Sequence, residues 1–590
     1  MISRMKREKF NHITNLSWKL SLFVLICGCL LVKSKEVKDT YYSSSSRRPN
    51  IVVIIADDVG WNDISFHGAD QIPTPNIDAL AYNGVILQRH YSLPTCTPSR
   101  TAFLTGRYPI RQGMQGYPLK AGEQRAIPNK FKLLPGYLKD LGYSTHLIGK
   151  WHVGYYAPEY TPANRGFDTF FGYYNGYIEY FNHTITELQY KTYTGNDLHR
   201  DRPNELSPEF ASGYMTDLIT EEAEKVISTH DPAKPLYLQI AHLACHASGL
   251  SNNDELQVPD MEKVNTDFGY IKDIKRRKFA GVMSSLDGSV GRVVDALQKA
   301  KLLENSIILF ISDNGAQTEG FLENYGSNYP LRGMKFTMFE GGVRVPACIF
   351  SPLIKRPSRI YNQLIHITDW LPTLYSAAHG NVNYLKDLDG VDQWNTIKRG
   401  TRSKRNSLLV NIDNKIDEES AIIGKYKLIK RKSTNNGNYY GDDGVDDSYP
   451  RYNASNIMSS LVARAISAIS NNRLTEQKIK NLRRNTKISC KHPTYFLNCT
   501  KNCLFNIFED PCETTDISEN NPKIVANLQN YIDVYRKVLV NQTNYPIDPA
   551  SFPTNFNGTW MPWLKDDSNL KLKNYFSCPE FLCGLPALLV

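Results

Sequence analysis

The chain has no internal repeat and no glycine-rich loop that could cradle nucleotide phosphates, which excludes repeat architectures and P-loop nucleotide hydrolases. Histidine is scarce, with 13 residues in 590, so few ligands are available for a centre with several zinc ions. The net charge of +10 is mild for this length. It fits acidic partners such as a sulfated polysaccharide or an ordinary excess of surface lysines, and we expect no nucleic-acid partner.

Long apolar runs are also missing from the chain. The run from Leu20 to Val32 is about a dozen residues long, whereas a membrane-spanning helix needs roughly 20. Basic residues precede this run, so residues 1–34 are typical of a signal peptide cleaved near Ser34 or of an uncleaved signal anchor. We therefore expect entry into the secretory pathway, a lysosomal or secreted location, and no stable membrane span beyond this signal.

The pattern of sequons and cysteines supports export. Five asparagines lie in Asn-x-Ser/Thr sequons, namely Asn182, Asn453, Asn498, Asn541 and Asn557. Two of the 11 cysteines, Cys27 and Cys29, lie in the signal segment. If Cys96 is set apart as a reactive residue, eight remain, an even number that fits disulfide pairs: Cys245, Cys348, Cys490, Cys499, Cys503, Cys512, Cys578 and Cys583.

The cysteine cluster from Cys490 to Cys512 could instead bind zinc. The sequon at Asn498 lies inside this cluster, and glycosylation happens in an oxidising compartment, so disulfides are favoured. The connectivity stays open at this point.

Apolar segments alternate with helical patterns through the first two thirds of the chain. Ile51 to Ala56 is apolar throughout, as a strand covered on both faces of a parallel sheet would be. Leu236 to Ala241 and Ser306 to Ile311 are similar, and Phe279 to Gln298 has the pattern of an amphipathic helix. The alternation predicts an α/β fold, with a large, mostly parallel mixed sheet and helices on both faces.

Changes in composition suggest the domain organisation. A polar linker at 35–49 leads into a predicted catalytic domain at 50–404. Residues 405–590 are predicted to form a smaller α+β domain. Within it, an Asn-, Gly-, Asp- and Tyr-rich stretch followed by a basic helical segment indicates an insertion near 430–487.

Polar residues follow several of the predicted strands directly. Asp57 and Asp58 come after the first strand, and Asp313 and Asn314 follow the strand that begins at Ser306. Strand ends of this kind meet at one edge of an α/β sheet, where ligands bind. Paired oxygen donors suit calcium better than magnesium, so the sequence predicts a metal site here. Two solvated acids in a loop are the alternative.

Cys96 opens the segment Cys-Thr-Pro-Ser-Arg. Thr97 is predicted to cap a helix with Pro98 in its first turn and Gly106 as its end, which places Cys96 at an anion-favouring helix N-terminus. Lys150 and His152 follow a predicted strand, and on an extended strand they would point the same way.

The run from Cys96 to Arg111 resembles the signature of the sulfatase family, and the resemblance continues almost unbroken from 50 to about 400. It implies the alkaline-phosphatase-like fold and a Cys96 that an enzyme of the export pathway oxidises to formylglycine. It further implies one calcium ion held by Asp57, Asp58, Asp313, Asn314 and the modified Cys96. Contacts to the nucleophile or the sulfate are implied for Arg100, Lys150, His152, Lys335 and one further histidine.

That further histidine is either His242 or His246. The resemblance selects His246, because this residue lies beyond the end of its strand, whereas His242 directly follows the apolar run. The family commonly has an acidic residue and a proline soon after this histidine, and here a polar insertion intervenes.

The resemblance also implies a reaction sequence. A hydroxyl of the hydrated aldehyde attacks sulfur, and the alcohol leaves with a proton from His246 or with assistance from Lys335. His152 then deprotonates the second hydroxyl and sulfate is expelled.

Within the family, the segments Arg165 to Gly172 and Thr368 to Thr373 resemble the arylsulfatase B, or N-acetylgalactosamine-4-sulfatase, branch. The implied substrates are sulfated sugars of glycosaminoglycans or small aryl or glucoside sulfates. Two alternatives remain open from the sequence: a phosphomonoesterase or phosphodiesterase of the same superfamily, and an inactive, secreted binding protein of the same shape.

Overall fold

A computed structural model of the chain describes residues 47–187, 193–249, 254–432, 439–446, 448–470, 473–490, 499 and 501–565. The predicted signal segment, most of the linker, the Asn498 sequon, Cys578 and Cys583 lie outside these ranges. The described residues from Pro49 onward belong to one compact unit.

The strands of the described residues are, in chain order, β1 (Asn50–Ala56), β2 (Val85–Leu87), β3 (His90–Tyr91), β4 (Ser144–Lys150), β5 (Thr169–Tyr173), β6 (Thr184–Glu187), β7 (Tyr193–Asn196), β8 (His199–Asp201), β9 (Leu236–Ala241), β10 (Ser306–Ser312), β11 (Ala347–Phe350), β12 (Arg359–Tyr361), β13 (Ile365–His366), β14 (Ser407–Asp413), β15 (Glu418–Ile423), β16 (Tyr426–Lys430) and β17 (Asn502–Asn506). The α-helices are α1 (Pro75–Asn83), α2 (Cys96–Thr105), α3 (Leu134–Asp140), α4 (Met215–Ser228), α5 (Met261–Phe268), α6 (Ile274–Lys299), α7 (Glu340–Val343), α8 (Trp370–Ala377), α9 (Trp394–Arg399), α10 (Ala454–Met458), α11 (Leu461–Ile469), α12 (Glu476–Thr486) and α13 (Pro522–Arg536).

Nine strands form the central sheet in the order β12-β2-β11-β10-β1-β9-β4-β5-β8. The five strands β10, β1, β9, β4 and β5 run parallel to one another, while β11 and β8 are antiparallel to their inner neighbours. The predicted mixed, mostly parallel sheet is therefore confirmed.

Strand β1 separates two hydrophobic cores. Its side chains alternate between the two faces of the sheet because successive residues of a strand point in opposite directions. Ile51, Val53 and Ile55 pack in the core that contains α2, α3 and α8. Val52 and Ile54 pack in the core that contains α1, α4 and α6. Helices thus cover both faces, which explains why β1 is apolar along its whole length.

The C-terminal part forms a second, smaller sheet. Strands β14, β15, β16 and β17 are antiparallel in that order, and α13 packs on them through Leu528 and Ile532. The predicted small C-terminal α+β element is confirmed. Its first strand begins at Ser407, close to the boundary predicted at 405.

The predicted insertion packs on the central sheet's helices rather than on the C-terminal sheet. The basic segment predicted to be helical, Leu461 to Lys487, forms two helices, α11 and α12. Val462 and Ile466 of α11 bury their side chains in the same core as α1 and α6. The amphipathic face of α11 accounts for this, because it covers apolar surface that those helices would otherwise expose.

The cysteines follow the disulfide prediction in part. Disulfides join Cys490 to Cys512 and Cys499 to Cys503, so this cluster holds bridges rather than zinc. Cys245 and Cys348 are free and buried, so the expectation that these two cysteines take part in disulfides was wrong. Both lie in the apolar core beside α6 and β10, where a thiol packs as a small hydrophobic group. Within the described ranges, every helix is too short or too polar to cross a membrane.

Candidate active site

The predicted site residues meet at the carboxyl ends of four neighbouring parallel strands. Asp57 and Asp58 follow β1, and Asp313 and Asn314 follow β10. Lys150 ends β4, and His246 lies five residues beyond β9. The first residue of α2 is Cys96. The order β10-β1-β9-β4 brings these residues together, as the connection rules of open α/β sheets predict.

Each carboxylate of the site is paired with a buried cation. Lys150 Nζ donates to Asp57 Oδ2 at 2.6 Å, and Lys335 Nζ donates to Asp58 Oδ2 at 2.8 Å. The Arg100 guanidinium donates twice to Asp313 Oδ2, at 3.1 Å from Nε and 2.9 Å from Nη2. Pairing of this kind is required here, because an unpaired charge in such a buried position would be very costly.

Two oxygen atoms of the site have no hydrogen-bond partner among the described residues. They are Asp57 Oδ1 and Asn314 Oδ1, and both are buried. Ligand atoms of Asp57, Asp58 and His246 lie within 4.8 Å of one another. Unpartnered buried oxygens are unfavourable on their own, and a hard cation with oxygen ligands would satisfy them. The residues present therefore fit a calcium ion.

The pKa values of the carboxylates reflect this crowding. Burial is the largest single effect on the pKa of Asp58 and acts to raise it, but the positive charges around the carboxylate, Lys335 first among them, together outweigh burial and hold that pKa below its ordinary value. Burial, and next the charge of Asp57, raise the pKa of Asp313 against the opposing effect of Arg100. Carboxylates held so close together repel one another, and a divalent cation would relieve that repulsion.

Cys96 lies against His152, with 3.2 Å between Sγ and Nδ1. The Nε2–H of this histidine donates to the Leu119 carbonyl at 2.9 Å, so Nδ1 carries no proton and faces the thiol. Burial raises the pKa of the Cys96 thiol, although Lys150 and Lys335 act to lower it. The unmodified residue is therefore a neutral thiol, which is a poor nucleophile.

Helix α2 begins earlier than predicted. Cys96 is its first residue and Thr95 occupies the N-cap position, whereas the prediction placed Thr97 there. The Thr97 hydroxyl has another use, since it donates to the His152 carbonyl at 3.0 Å and accepts from the Leu119 amide at 3.1 Å. Gly106 ends the helix as predicted, with φ of +64°.

The expectation that Lys150 and His152 share one strand face was wrong. Strand β4 ends at Lys150, and His152 lies beyond it with φ of +56°, in the left-handed region that non-glycine residues seldom adopt. The two side chains reach the site from different directions. Lys150 contacts Asp57, and His152 contacts Cys96.

His246 is the histidine that faces the site. Its Nε2 lies 3.1 Å from Lys335 Nζ and its Nδ1–H donates to the Ala247 carbonyl at 2.7 Å. Burial, and next the charge of Lys335, lower the pKa of His246 to about 3. His242 instead contacts the Ser289 hydroxyl of α6 at 3.1 Å, as expected for a packing residue.

The comparisons with known proteins agree with this arrangement. Residues 49–380 match the family model described as Sulfatase, which is more than half of the chain. The chain belongs to the sulfatase family. It is therefore a sulfuric ester hydrolase, and the family predicted from the sequence is confirmed. Its position in the arylsulfatase B branch stays a prediction.

Two relatives match this sulfatase over more than half of its length. It is 35% identical over 556 residues to arylsulfatase J of Mus musculus, a match that covers 90% of this chain and 83% of that protein. It is 31% identical over 372 residues to N-acetylgalactosamine-6-sulfatase of Mus musculus, covering 60% of this chain and 68% of that protein. Among solved structures, the PsFucS1 sulfatase from Pseudoalteromonas sp. shares the fold, with a TM-score of 0.61, 23% identity, and coverage of 86% of this chain and 94% of that one.

Several residues that shape this sulfatase site were not predicted. The Leu119 carbonyl orients His152, and the ring of Tyr177 stacks on His246 with 5.7 Å between centroids. Asn324 Nδ2 donates to the backbone carbonyl of Asp58. A Cβ on Gly176 would lie 2.7 Å from His152 Cε1, so only glycine allows this approach. The sequence around these residues contains no catalytic motif. Gly176 alone could have been noticed, because a glycine can indicate a close approach between the backbone and another group.

Proposed function

We propose that this sulfatase hydrolyses sulfate esters with Cys96 converted to formylglycine and with one bound calcium ion. The substrates we propose are sulfated sugars of glycosaminoglycans or small aryl or glucoside sulfates. The observation that carries this proposal is the position of Cys96. It lies at a helix N-terminus beside an unprotonated histidine nitrogen, in a site where three cations and three carboxylates surround unpartnered oxygens.

The calcium ion would be held by Asp57, Asp58, Asp313, Asn314 and the modified side chain at position 96. When bound, it would polarise the sulfate oxygens as a Lewis acid. The cations around these ligands have a separate role, since Arg100, Lys150 and Lys335 balance the carboxylates and leave a site able to accept an anionic sulfate group.

The formylglycine hydrate would supply a nucleophile whose second hydroxyl can expel sulfate, a step that an ordinary serine or cysteine ester lacks. His152 Nδ1 is placed to take up a proton from the side chain at position 96, because Nε2–H is committed to the Leu119 carbonyl. Lys150 stabilises negative charge next to that side chain.

Lys335 and His246 form a pair on the side of the site where the alcohol would leave. Lys335 is the protonated member of this pair. Burial is the largest single effect on the pKa of Lys335 and acts to lower it, but the negative charges around the ammonium, Asp58 first among them, together outweigh burial and raise that pKa above its ordinary value. His246 is neutral, with Nδ1–H committed to the Ala247 carbonyl, so its Nε2 accepts from Lys335. We therefore propose that Lys335 supplies the proton for the departing alcohol and that His246 positions the Lys335 ammonium by accepting a hydrogen bond from it.

We further propose that the protein enters the secretory pathway, where a formylglycine-generating enzyme acts on Cys96, and that it is lysosomal or secreted. The sequon asparagines that the structure describes are all exposed, which supports glycosylation: Asn182, Asn453, Asn541 and Asn557.

The test combines mass and activity on protein secreted from a eukaryotic cell. We expect the tryptic peptide that contains Cys96 to have the mass of the aldehyde, and the protein to release sulfate from an aryl sulfate. A matched Cys96→Ala variant should fold and release none. Secreted protein that carries only the thiol and yet hydrolyses sulfate esters would contradict the proposed nucleophile.

A further inference from the structure

Three aromatic rings flank the pair formed by His246 and Lys335. Tyr177 lies nearly parallel to the His246 ring, with 5.7 Å between centroids and an interplanar angle of 6°. On the other side, Lys335 Nζ lies 5.8 Å from the centre of the Phe336 ring. Phe336 in turn stacks on Tyr117, at 5.5 Å and 27°. The groups proposed to contact the sulfate and the leaving oxygen thus lie between aromatic surfaces.

The aromatic rings reach toward solvent. Tyr117 is 39% exposed, and Phe336 and Tyr177 are half-buried. Rings that served only to pack a core would be more fully covered. Their position between the buried site and water places them where the part of a substrate beyond the sulfate would lie.

The backbone holds Phe336 in an unfavourable conformation. Its φ is +71°, which is an outlier for a bulky side chain. The amide of Phe336 donates to the Pro94 carbonyl at 2.8 Å, and that of Lys335 donates to the Ala316 carbonyl at 3.0 Å. Neighbouring structure therefore fixes this ring beside Lys335, as is common where local strain serves a binding site.

Resting on the proposed sulfate-ester hydrolysis, we propose that Tyr117, Phe336 and Tyr177 form a subsite for the ring that carries the sulfate. Aromatic side chains stack on flat or weakly polar ring faces. The favoured substrates are therefore those whose sulfate is carried on a ring of this kind, as in an aryl sulfate or a monosulfated neutral sugar.

The experiment measures the hydrolysis of two substrates, para-nitrophenyl sulfate and a monosulfated N-acetylgalactosamine, by calcium-loaded, formylglycine-containing protein. Tyr117→Leu should raise KM for para-nitrophenyl sulfate about 3- to 10-fold with little change in kcat.

Matched controls separate these effects from general damage. Tyr117→Phe should keep the wild-type KM for para-nitrophenyl sulfate, because the stacking surface remains. Phe210→Leu, at an exposed aromatic residue, should leave KM for both substrates unchanged.

An unchanged KM for para-nitrophenyl sulfate in folded Tyr117→Leu would overturn the subsite. Failure of the wild-type protein to release sulfate from either substrate would instead overturn the proposed function. Which of the two favoured substrates has the higher kcat/KM distinguishes an aryl ring from a sugar ring.

Discussion

Nδ1 of His152 lies 3.2 Å from Sγ of Cys96, although 56 residues separate the two in the sequence. The contact depends on a chain of neighbours, because the Leu119 carbonyl takes the Nε2–H and the Thr97 hydroxyl donates to the His152 carbonyl. Thr97 of α2 thus holds the backbone of His152. The ring of the same histidine faces the side chain of Cys96, which directly precedes Thr97. The tautomer of His152 follows from this arrangement and leaves its free nitrogen directed at the proposed nucleophile.

The close approach of Gly176 to His152 leads to a first prediction. A Cβ at position 176 would lie 2.7 Å from His152 Cε1, so Gly176→Ala should push the ring away from Cys96. We expect kcat to fall about tenfold or more, since small displacements of catalytic groups have large effects, while Tm changes little. Steady-state kinetics and thermal unfolding measure the two effects.

Gly288→Ala is the control for this substitution. No atom lies within 4 Å of a Cβ there, and the residue is in the middle of α6. This variant should keep full activity and gain up to about 1 kcal/mol in stability. Wild-type kcat in Gly176→Ala would show that the ring position does not matter.

The second prediction concerns the metal. Asp313→Asn keeps the size of the side chain but removes a charge that the proposed calcium ion needs, so bound calcium and kcat should fall together, on the order of 10-fold or more. Metal analysis of purified protein and sulfate release measure both, and excess calcium should restore part of the activity.

Asp295→Asn, on the exposed side of α6 next to Lys299, should change neither calcium content nor rate. Full activity in a calcium-free Asp313→Asn protein would contradict the proposed role of the metal, and stoichiometric zinc in the wild type would favour phosphatase-like chemistry.

The third prediction separates the two histidines after β9. His246→Ala removes the partner of Lys335 and should lower kcat by on the order of 10²-fold with near-normal stability. His242→Ala removes a buried side chain that contacts Ser289, so it should lower Tm and have a much smaller effect on kcat. Folded, inactive His242→Ala beside fully active His246→Ala would reverse the assignment.

The fourth prediction is a pH dependence of stability. Burial raises the pKa of Asp287 to about 7 from an ordinary value of 3.8. Because the folded-state pKa is the higher one, its stabilising contribution is complete below about pH 4 and is lost as the pH rises through about 7. Asp287→Asn cannot ionise, so its Tm should change less than that of the wild type between about pH 4.5 and 7.5. An equal or larger change in the variant would contradict this origin of the dependence.

Much of this molecule follows from local sequence patterns. The all-apolar strands β1, β9 and β10 predicted a parallel sheet with helices on both faces, because only a strand covered on both faces is apolar at every position. The rule that strand ends meet at one edge then placed Asp57 and Asp313 together before any contact was known.

Patterns of the same kind failed where a longer-range contact decided the local geometry. Thr97 has the residue type of a helix cap, yet its hydroxyl bonds to His152 and Leu119 instead. Cys245 and Cys348 belong to an even-numbered set of cysteines that predicted disulfides, yet each is buried as a free thiol in the apolar core. The insertion helix α11 follows the boundary near 405 in sequence, and it packs back on α1 and α6.

The sequence by itself therefore determined the sheet, the family and the identity of the polar residues at the strand ends, since these depend on residue type and short spacing. Only the tertiary structure decided which nitrogen of His152 faces Cys96, that His246 Nε2 contacts Lys335, and that Tyr177 and Phe336 stand beside that pair. The physical reason is that tautomers, pKa values and ring stacking depend on distances of a few ångströms between residues far apart in the chain.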